Sequence, residues 1–141
     1  MSPAPEPFLL RVFDPEADYP TLAAWWRARG KNPPVRELLP KLGVVAHRGG
    51  EDAAMGFVFM DNSSPVCFFE LPISRPHLAL SDAREAFKAV VEFLKLRAAQ
   101  LGYAVMYAYT FPALAREAGR LGFKKQREGM IMIYAELKGG E

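Results

Sequence analysis

The chain has 141 residues, of which 50% are hydrophobic and 24% charged, so it is long enough for one domain with a buried core and short for two. Its 18 Lys and Arg against 16 Asp and Glu leave a net charge of +2, too small to attract nucleic acid or an anionic membrane generally. One cysteine excludes an internal disulfide, the two histidines stand apart from any metal-ligand spacing, and no apolar run is long enough to span a membrane. We therefore expect a cytoplasmic protein without metal, nucleic-acid or membrane partners.

The first half of the chain reads as strands with one helix and a short helical turn at 35–39. Residues 1–7 contain three prolines and are expected to be a flexible start before one domain at 8–138. A β-rich run at 8–13 predicts the first strand, and apolar residues at helical spacing from Pro20 to Gly30 predict the first helix. Three further apolar runs separated by polar turns predict an antiparallel meander, at 44–46, 54–60 and 66–71.

A long amphipathic helix follows the meander. Asp82, with Glu85 three residues later, reads as a capping box, and the apolar face that starts there continues to Gly102. The unbroken apolar run from Tyr103 to Tyr109 then predicts a central strand that is covered on both faces.

The chain closes with another helix and a last strand. Pro112 opens a helix that ends at Gly122, and the run from Met130 to Leu137 predicts a strand. The whole order of elements indicates a single α/β domain with a mixed sheet.

This order, with Leu121-Gly122-Phe123-Lys124 after the last helix, resembles the GNAT superfamily of N-acetyltransferases from Phe8 to Leu137. A closer similarity, to GNAT-like proteins of tailed bacteriophages and prophages, rests on short motifs: Ala24-Trp25-Trp26, Leu38-Leu39-Pro40, Asp61-Asn62-Ser63, Gly102-Tyr103 and Gly122-Phe123. The resemblance implies a sheet of six or seven strands with helices on both faces, splayed between the fourth and fifth strands. It also implies an acetyl-CoA-dependent N-acetyltransferase acting on an unidentified amine, in a host cytoplasm or a virion, with a homodimer or a phage or host protein as further partners.

The resemblance also implies where acetyl-CoA binds. In the family, the end of the strand before the long helix and the loop that follows it hold the cofactor, which here gives these residues: Ile73, Ser74, Arg75, Leu80, Ser81 and Asp82. The family's phosphate loop carries glycines where this chain has Leu78 and Leu80, and Pro76 removes one backbone donor. Asp82, as a helix cap, would compete with phosphate for the same N–H groups. We expect acetyl-CoA to bind weakly, with a Kd of about a millimolar.

Two residues are candidates for catalysis. Glu70 lies on the same alternating face as Val66 and Phe68, and a carboxylate among apolar groups should have a raised pKa and could act as a general base. The alternative is a glutamate at a strand end that reaches solvent or an arginine. Tyr109, or Tyr107, could replace the acid that the family places where Ala118 stands, unless these tyrosines only pack with their hydroxyls at the rim.

Proline at position 72 should end the pairing of the fourth strand and leave the backbone of Ile73 and Ser74 free for a cofactor. The alternative, and the commoner case, is a strand that simply ends at a proline and binds nothing.

A second function class also stays open, because Leu78, Leu80 and Ala118 depart from the family pattern. It is a GNAT-fold protein without catalysis, acting as a phage-associated structural or host-interaction component.

Overall fold

A computed structural model gives the fold of residues 6–137, so the predicted flexible start lies mostly outside the described residues. The chain divides into two compact units, Met1–Thr110 and Phe111–Glu141, and each is described by itself; the single domain at 8–138 stays a prediction. Within residues 6–137, no helix is long and apolar enough to cross a membrane. No group of three or more His, Cys, Asp or Glu side chains in this part of the chain could hold a metal ion.

The first unit is a five-stranded mixed sheet with a helix on each face. Its elements are β1 (Leu9–Val12), α1 (Pro15–Ala28), β2 (Leu42–Arg48), β3 (Glu51–Met60), β4 (Val66–Ser74), α2 (Leu80–Gln100) and β5 (Val105–Ala108), with a 3₁₀ turn at Arg36–Leu38. The strands lie in the order β1-β2-β3-β4-β5; β4 and β5 are parallel and the other neighbours antiparallel. The predicted meander, and the predicted neighbourhood of the fourth and fifth strands, are confirmed.

The second unit contains α3 (Pro112–Gly119), and the described residues after it form neither helix nor strand. The strand predicted from Met130 to Leu137 is therefore absent, and the described sheet has five strands, not six or seven. An apolar run becomes a strand only when a neighbouring strand completes its backbone hydrogen bonds, and residues 123–137 form no such ladder.

Helix α1 starts earlier than the sequence predicted, because Asp14 accepts a hydrogen bond from the Glu16 N–H at 3.0 Å and caps the helix, with Pro15 in its first turn. The apolar face of α1 packs on one face of the sheet. The buried side chains of that layer are Phe13, Leu22, Trp25, Val45, Met55, Phe57 and Ile73.

One arginine ties α1 to β1 and β3. Arg11 donates from Nη1 to Asp18 Oδ2 at 2.7 Å and from Nη2 to Asp52 Oδ1 at 2.8 Å. Asp18 is only 5% exposed and also accepts a hydrogen bond from the Asp14 N–H at 2.8 Å. A carboxylate this buried needs such partners to offset its lost hydration. We call this group, Arg11 with Asp18 and Asp52, the Arg11 clamp.

Strand β4 carries a bulge. Its register to β3 shifts between Met55, which pairs with Ile73, and Phe57, which pairs with Glu70, so β4 has one residue more than β3 over this stretch. At the bulge Leu71 has a φ of 58°, which leucine adopts only at a cost. The extra residue reverses the alternation, so Leu71 and Ile73 face α1, the same face as Glu70.

Helix α2 packs on the opposite face of the sheet through a buried stripe, made of Ala86, Val90, Val91, Leu94 and Ala98. Gly56, opposite the bulge, lets the helix approach the sheet. A Cβ at Gly56 would lie 2.7 Å from Val90 Cγ1 and 3.0 Å from Phe69 Cε2. Phe69 is itself packed edge-on against Phe87 of α2, with ring centroids 5.9 Å apart.

We expect Gly56→Ala to lower the free energy of unfolding by about 1–3 kcal/mol, because neither Val90 nor Phe69 can move without disturbing packed neighbours. Urea denaturation followed by circular dichroism measures the change. Gly119→Ala is the control, since a Cβ there would meet nothing within 4 Å. An unchanged midpoint for Gly56→Ala would contradict the close approach of α2.

Candidate functional site

Strand β5 ends part-way along β4. It pairs with β4 over its whole length, Val105–Ala108 against Val66–Phe69, whereas β4 continues to Ser74. Beyond Phe69, β4 therefore has no strand partner on this side, and the splay expected between the two strands stays a prediction. Strand β5 is shorter than predicted, since the Tyr103 N–H instead bonds to the Ala98 carbonyl at the end of α2, at 3.0 Å. It is also the last strand of the described sheet, and its exposed side chains correct the prediction of a strand covered on both faces.

Glu70 is the first residue of β4 beyond the pairing with β5. On the β3 side it lies opposite Phe57, which is fully buried in the α1 layer. The side chain of Glu70 is half-buried and, among residues 6–137, makes no hydrogen bond or ion pair, so the expected alternative of an arginine partner is not found. Burial raises the pKa of the Glu70 carboxyl above its ordinary value, as the sequence predicted, because desolvation penalises the charged form.

Several aromatic rings lie on the same face of the sheet as Glu70. The registers align Phe59 of β3 with Phe68 of β4, and Phe68 with Tyr107 of β5, so that three rings cross the strands in one row. Tyr109, just beyond β5, lies nearly parallel to Phe68, with ring centroids 6.3 Å apart. Phe68 and Tyr107 are 5.8 Å apart. We call these four side chains the aromatic row. It brings Tyr109, predicted as a candidate acid, to the same face as Glu70.

Proline 72 acts differently from the prediction. Beyond it Ile73 pairs with Met55, and the Arg75 N–H bonds to the Ala53 carbonyl at 2.8 Å, so β4 keeps its pairing with β3. The proline is accommodated by the bulge, and the pairing with β5 has already ended at Phe69, before the proline is reached.

Ser74 is engaged by α1 and not free, as the sequence had suggested. Arg29, at the end of α1, donates from Nη1 to the Ser74 carbonyl at 2.7 Å and from Nη2 to Ser74 Oγ at 3.1 Å. This arginine was missed by the sequence analysis, because nothing in the sequence indicates that the end of α1 reaches the end of β4.

Helix α2 begins without a side-chain cap. Its N-cap is Ala79, so the helix starts at Leu80 and not at the predicted Asp82. The backbone N–H groups of its first turn have no intrahelical acceptor, as in any helix. Asp82 is not the cap; its carboxylate forms an ion pair with Arg48 at 3.0 Å. The predicted competition between an Asp82 cap and phosphate is therefore not present in this structure.

The loop from β4 to α2 is short and closed by one turn. The Leu78 N–H bonds to the Arg75 carbonyl at 3.3 Å, and His77 has a φ of 64°, a conformation that favours glycine. Arg75 pairs with Glu51 at 2.7 Å. The side chain of Leu80 is 67% exposed, so it extends into solvent and does not pack on the sheet.

The single cysteine lies on the other face of the sheet. Cys67 is fully buried at the base of a depression between α2 and β5, and burial raises the pKa of its thiol. A thiol that is both buried and held protonated is a poor nucleophile, as the sequence led us to expect.

Comparison with known proteins finds similarity in structure only. No protein-family model matches the sequence, and no curated protein matches it. Among solved structures, an acetyltransferase from Trypanosoma brucei aligns with 90% of this chain and 99% of its own at a TM-score of 0.67 and 14% identity. Glucosamine-6-phosphate N-acetyltransferase from Arabidopsis thaliana aligns with 92% of this chain and 100% of its own at a TM-score of 0.65 and 13% identity. A protein described as a transcriptional regulator from Bacillus halodurans aligns with 90% and 99% at a TM-score of 0.66 and 18% identity.

These similarities show that the chain has an α/β fold of the GNAT type. At such low identity they extend to the fold alone, and function must be argued from the site. None of the three structures is described as a phage protein, so the phage resemblance gains no support from them.

Proposed function

We propose that the protein is an acetyl-CoA-dependent N-acetyltransferase whose acceptor is a primary amine. One observation carries the proposal. Glu70 is a half-buried carboxylate with a raised pKa and no side-chain partner among the described residues, and it lies just beyond the point where β4 loses its pairing with β5. A partly exposed base with a raised pKa suits removal of a proton from an ammonium group.

The backbone at the start of α2 suits the binding of the phosphate groups of acetyl-CoA. The uncapped first turn of α2 offers N–H donors around Leu80 and Ser81, and the helix dipole favours a phosphate there. Arg48 and Arg75 lie at the same end of the sheet, but acidic side chains already balance both. Binding would therefore rest on backbone donors and not on a strong positive field. When bound, acetyl-CoA would supply an acetyl thioester to the site.

The protein's own groups have separate tasks in this proposal. Glu70 takes a proton from the acceptor ammonium, which frees the nitrogen lone pair for attack. Tyr109 is the candidate proton donor, because its hydroxyl stands on the same face and its ring is held against Phe68. Arg29 must release the Ser74 carbonyl if the cofactor uses it. Such competition would weaken binding, in line with the millimolar affinity expected from the sequence.

Substitution at the first residue of α2 tests the anion site. Leu80→Pro removes one backbone donor but keeps the helix, because proline is tolerated at the first helical position and Ala79, with φ −57° and ψ 143°, already has the conformation required before proline. We expect the Kd for acetyl-CoA to rise about tenfold, the worth of one hydrogen bond to a charged group. Isothermal titration measures the Kd.

Leu80→Ala is the matched control, since it shortens the same side chain and keeps the N–H. We expect its affinity for acetyl-CoA to equal or exceed that of the parent protein. If Leu80→Pro and Leu80→Ala bind alike, the first turn of α2 does not hold the pyrophosphate.

The non-catalytic alternative has one observation in its favour, the occupation of Ser74 by Arg29. An assay of thiol release from acetyl-CoA with a panel of primary amines separates the two functions. Amine-dependent release supports the enzyme. No release, together with no acetyl-CoA binding at millimolar concentration, supports a GNAT-fold protein without catalysis.

A further inference from the structure

Exposed rings lie beside the candidate base. Three members of the aromatic row remain well exposed: Phe59 at 41%, Tyr107 at 37% and Tyr109 at 56%. Phe59, Phe68 and Tyr107 come from three neighbouring strands and are aligned by the registers, so the row is a continuous apolar surface. A cluster of rings at the surface, next to an unpaired polar group, is typical of a ligand site.

The distance from the rings to the carboxylate is set by the strand. Phe68 and Glu70 are two residues apart on one face of β4, with no bulge between them, which separates their Cα atoms by about 6–7 Å. A ligand whose ring stacks on Phe68 therefore needs a tether of two or three bonds to bring a charged group to Glu70.

The charge of that group follows from Glu70. Its carboxylate has no hydrogen-bond donor or cation among residues 6–137, and a half-buried carboxylate is stabilised by a cation. Neighbouring ring faces also attract cations. The site is thus complementary to a positive group on a flat apolar body, whereas a simple alkylamine would leave the rings uncovered.

We infer that the acceptor is an arylalkylamine, a primary ammonium joined by a short tether to an aromatic ring. Its ring stacks on the aromatic row, and its ammonium contacts Glu70. The inference rests on the proposed function for the acetylation of the bound amine, but the binding of the amine itself needs no acetyl-CoA. It can therefore be tested separately.

Isothermal titration of the purified protein without acetyl-CoA tests the binding with three probes. We use 2-phenylethylamine, with ring and charge; 2-phenylethanol, with the ring alone; and n-butylamine, with the charge alone. We expect 2-phenylethylamine to bind at least about tenfold more tightly than either of the others, because only it can use both features. Phenylalanine amide resembles the first residue of a peptide, so its binding relative to 2-phenylethylamine distinguishes a peptide N-terminus from a free arylalkylamine.

Single substitutions locate the two contacts. Phe68→Leu should weaken 2-phenylethylamine about threefold to tenfold and leave n-butylamine unchanged, since it removes the stacking ring and keeps an apolar side chain. Glu70→Gln should weaken both amines and leave 2-phenylethanol unchanged. Met60→Leu, next to Phe59 on β3 but on the other face of the sheet, should change none of the three.

The inference is overturned if n-butylamine binds as tightly as 2-phenylethylamine, if no amine binds, or if Phe68→Leu and Met60→Leu behave alike. Tight binding of 2-phenylethylamine without thiol release from acetyl-CoA would support the arylalkylamine site and count against the proposed acetyl transfer. Release with n-butylamine alone would support the enzyme and reject the arylalkylamine.

Discussion

Glu70→Gln is expected to lower kcat/KM for acetyl transfer by about 10²–10⁴-fold, the usual contribution of a general base. Glutamine keeps the size of the side chain and its place opposite Phe57, but it cannot take a proton. Rates of thiol release with a responsive amine measure the loss. Glu92→Gln is the control, since it removes a charge from an exposed position on α2. A variant at Glu70 that keeps full kcat/KM at every pH would make this residue structural.

The same variant should be more stable than the parent protein at neutral pH. The folded-state pKa of Glu70 is raised above the ordinary value of 4.5, so its charged form costs stability wherever the carboxyl is ionised in the folded protein. As the pH falls through the raised pKa and below 4.5, the carboxyl is protonated in both states and the advantage of glutamine disappears. Thermal denaturation at pH 7 and pH 4 checks the sign. Activity of the parent protein should fall over the same acidic range.

Arg11→Met is expected to lower the free energy of unfolding by about 2–4 kcal/mol, because it breaks the Arg11 clamp and leaves the buried Asp18 without its cation. The figure is set below that of a fully buried pair, since the side chain of Arg11 is 38% exposed. Urea denaturation measures the loss, and Arg36→Met, which removes an exposed arginine, is the control.

A double variant separates the ion pair from simple packing. In Arg11→Met with Asp18→Asn the buried position 18 carries no charge, and the amide oxygen of the new asparagine can still accept the hydrogen bond from the Asp14 N–H. Asp52 loses its partner equally in Arg11→Met alone and in the double variant, so its contribution cancels in the comparison. We expect the double variant to be clearly more stable than the sum of the two single losses predicts. If the losses in free energy of unfolding are additive, Arg11 stabilises the fold by packing and not by pairing with Asp18.

Elements with a strong period were predicted well from the sequence. The apolar stripe of α2 and the short apolar runs of the meander, separated by polar turns, gave the correct elements and the correct neighbours. Element ends were less accurate, because caps depend on backbone geometry. Asp14 caps α1 before the predicted start, and α2 begins at Leu80 with no capping side chain, although Asp82 and Glu85 have the spacing of a capping box.

The candidate site was only partly predictable. The period of two placed Glu70 and Phe68 on one face, and the structure agrees. That Phe59 and Tyr107 lie beside Phe68 follows only from the registers between the strands, and no local sequence pattern gives those registers. Pro72 was expected to end the pairing of β4, but the bulge before it, which no local pattern indicates, lets β4 pair with β3 on both sides of the proline. The contact between Arg29 and Ser74 joins elements far apart in sequence, so it could not be predicted from either.

The bulge at Leu71 decides which side chains of β4 enter the layer beneath α1. Deleting Leu71 would return the strand to regular alternation and would leave Glu70 and Ile73 on the face that they share now. It would also remove the packing of Leu71 against that layer and the irregularity that accommodates Pro72. The extra residue therefore lets one short strand carry a proline and still place two neighbouring apolar side chains, Leu71 and Ile73, in the same core layer.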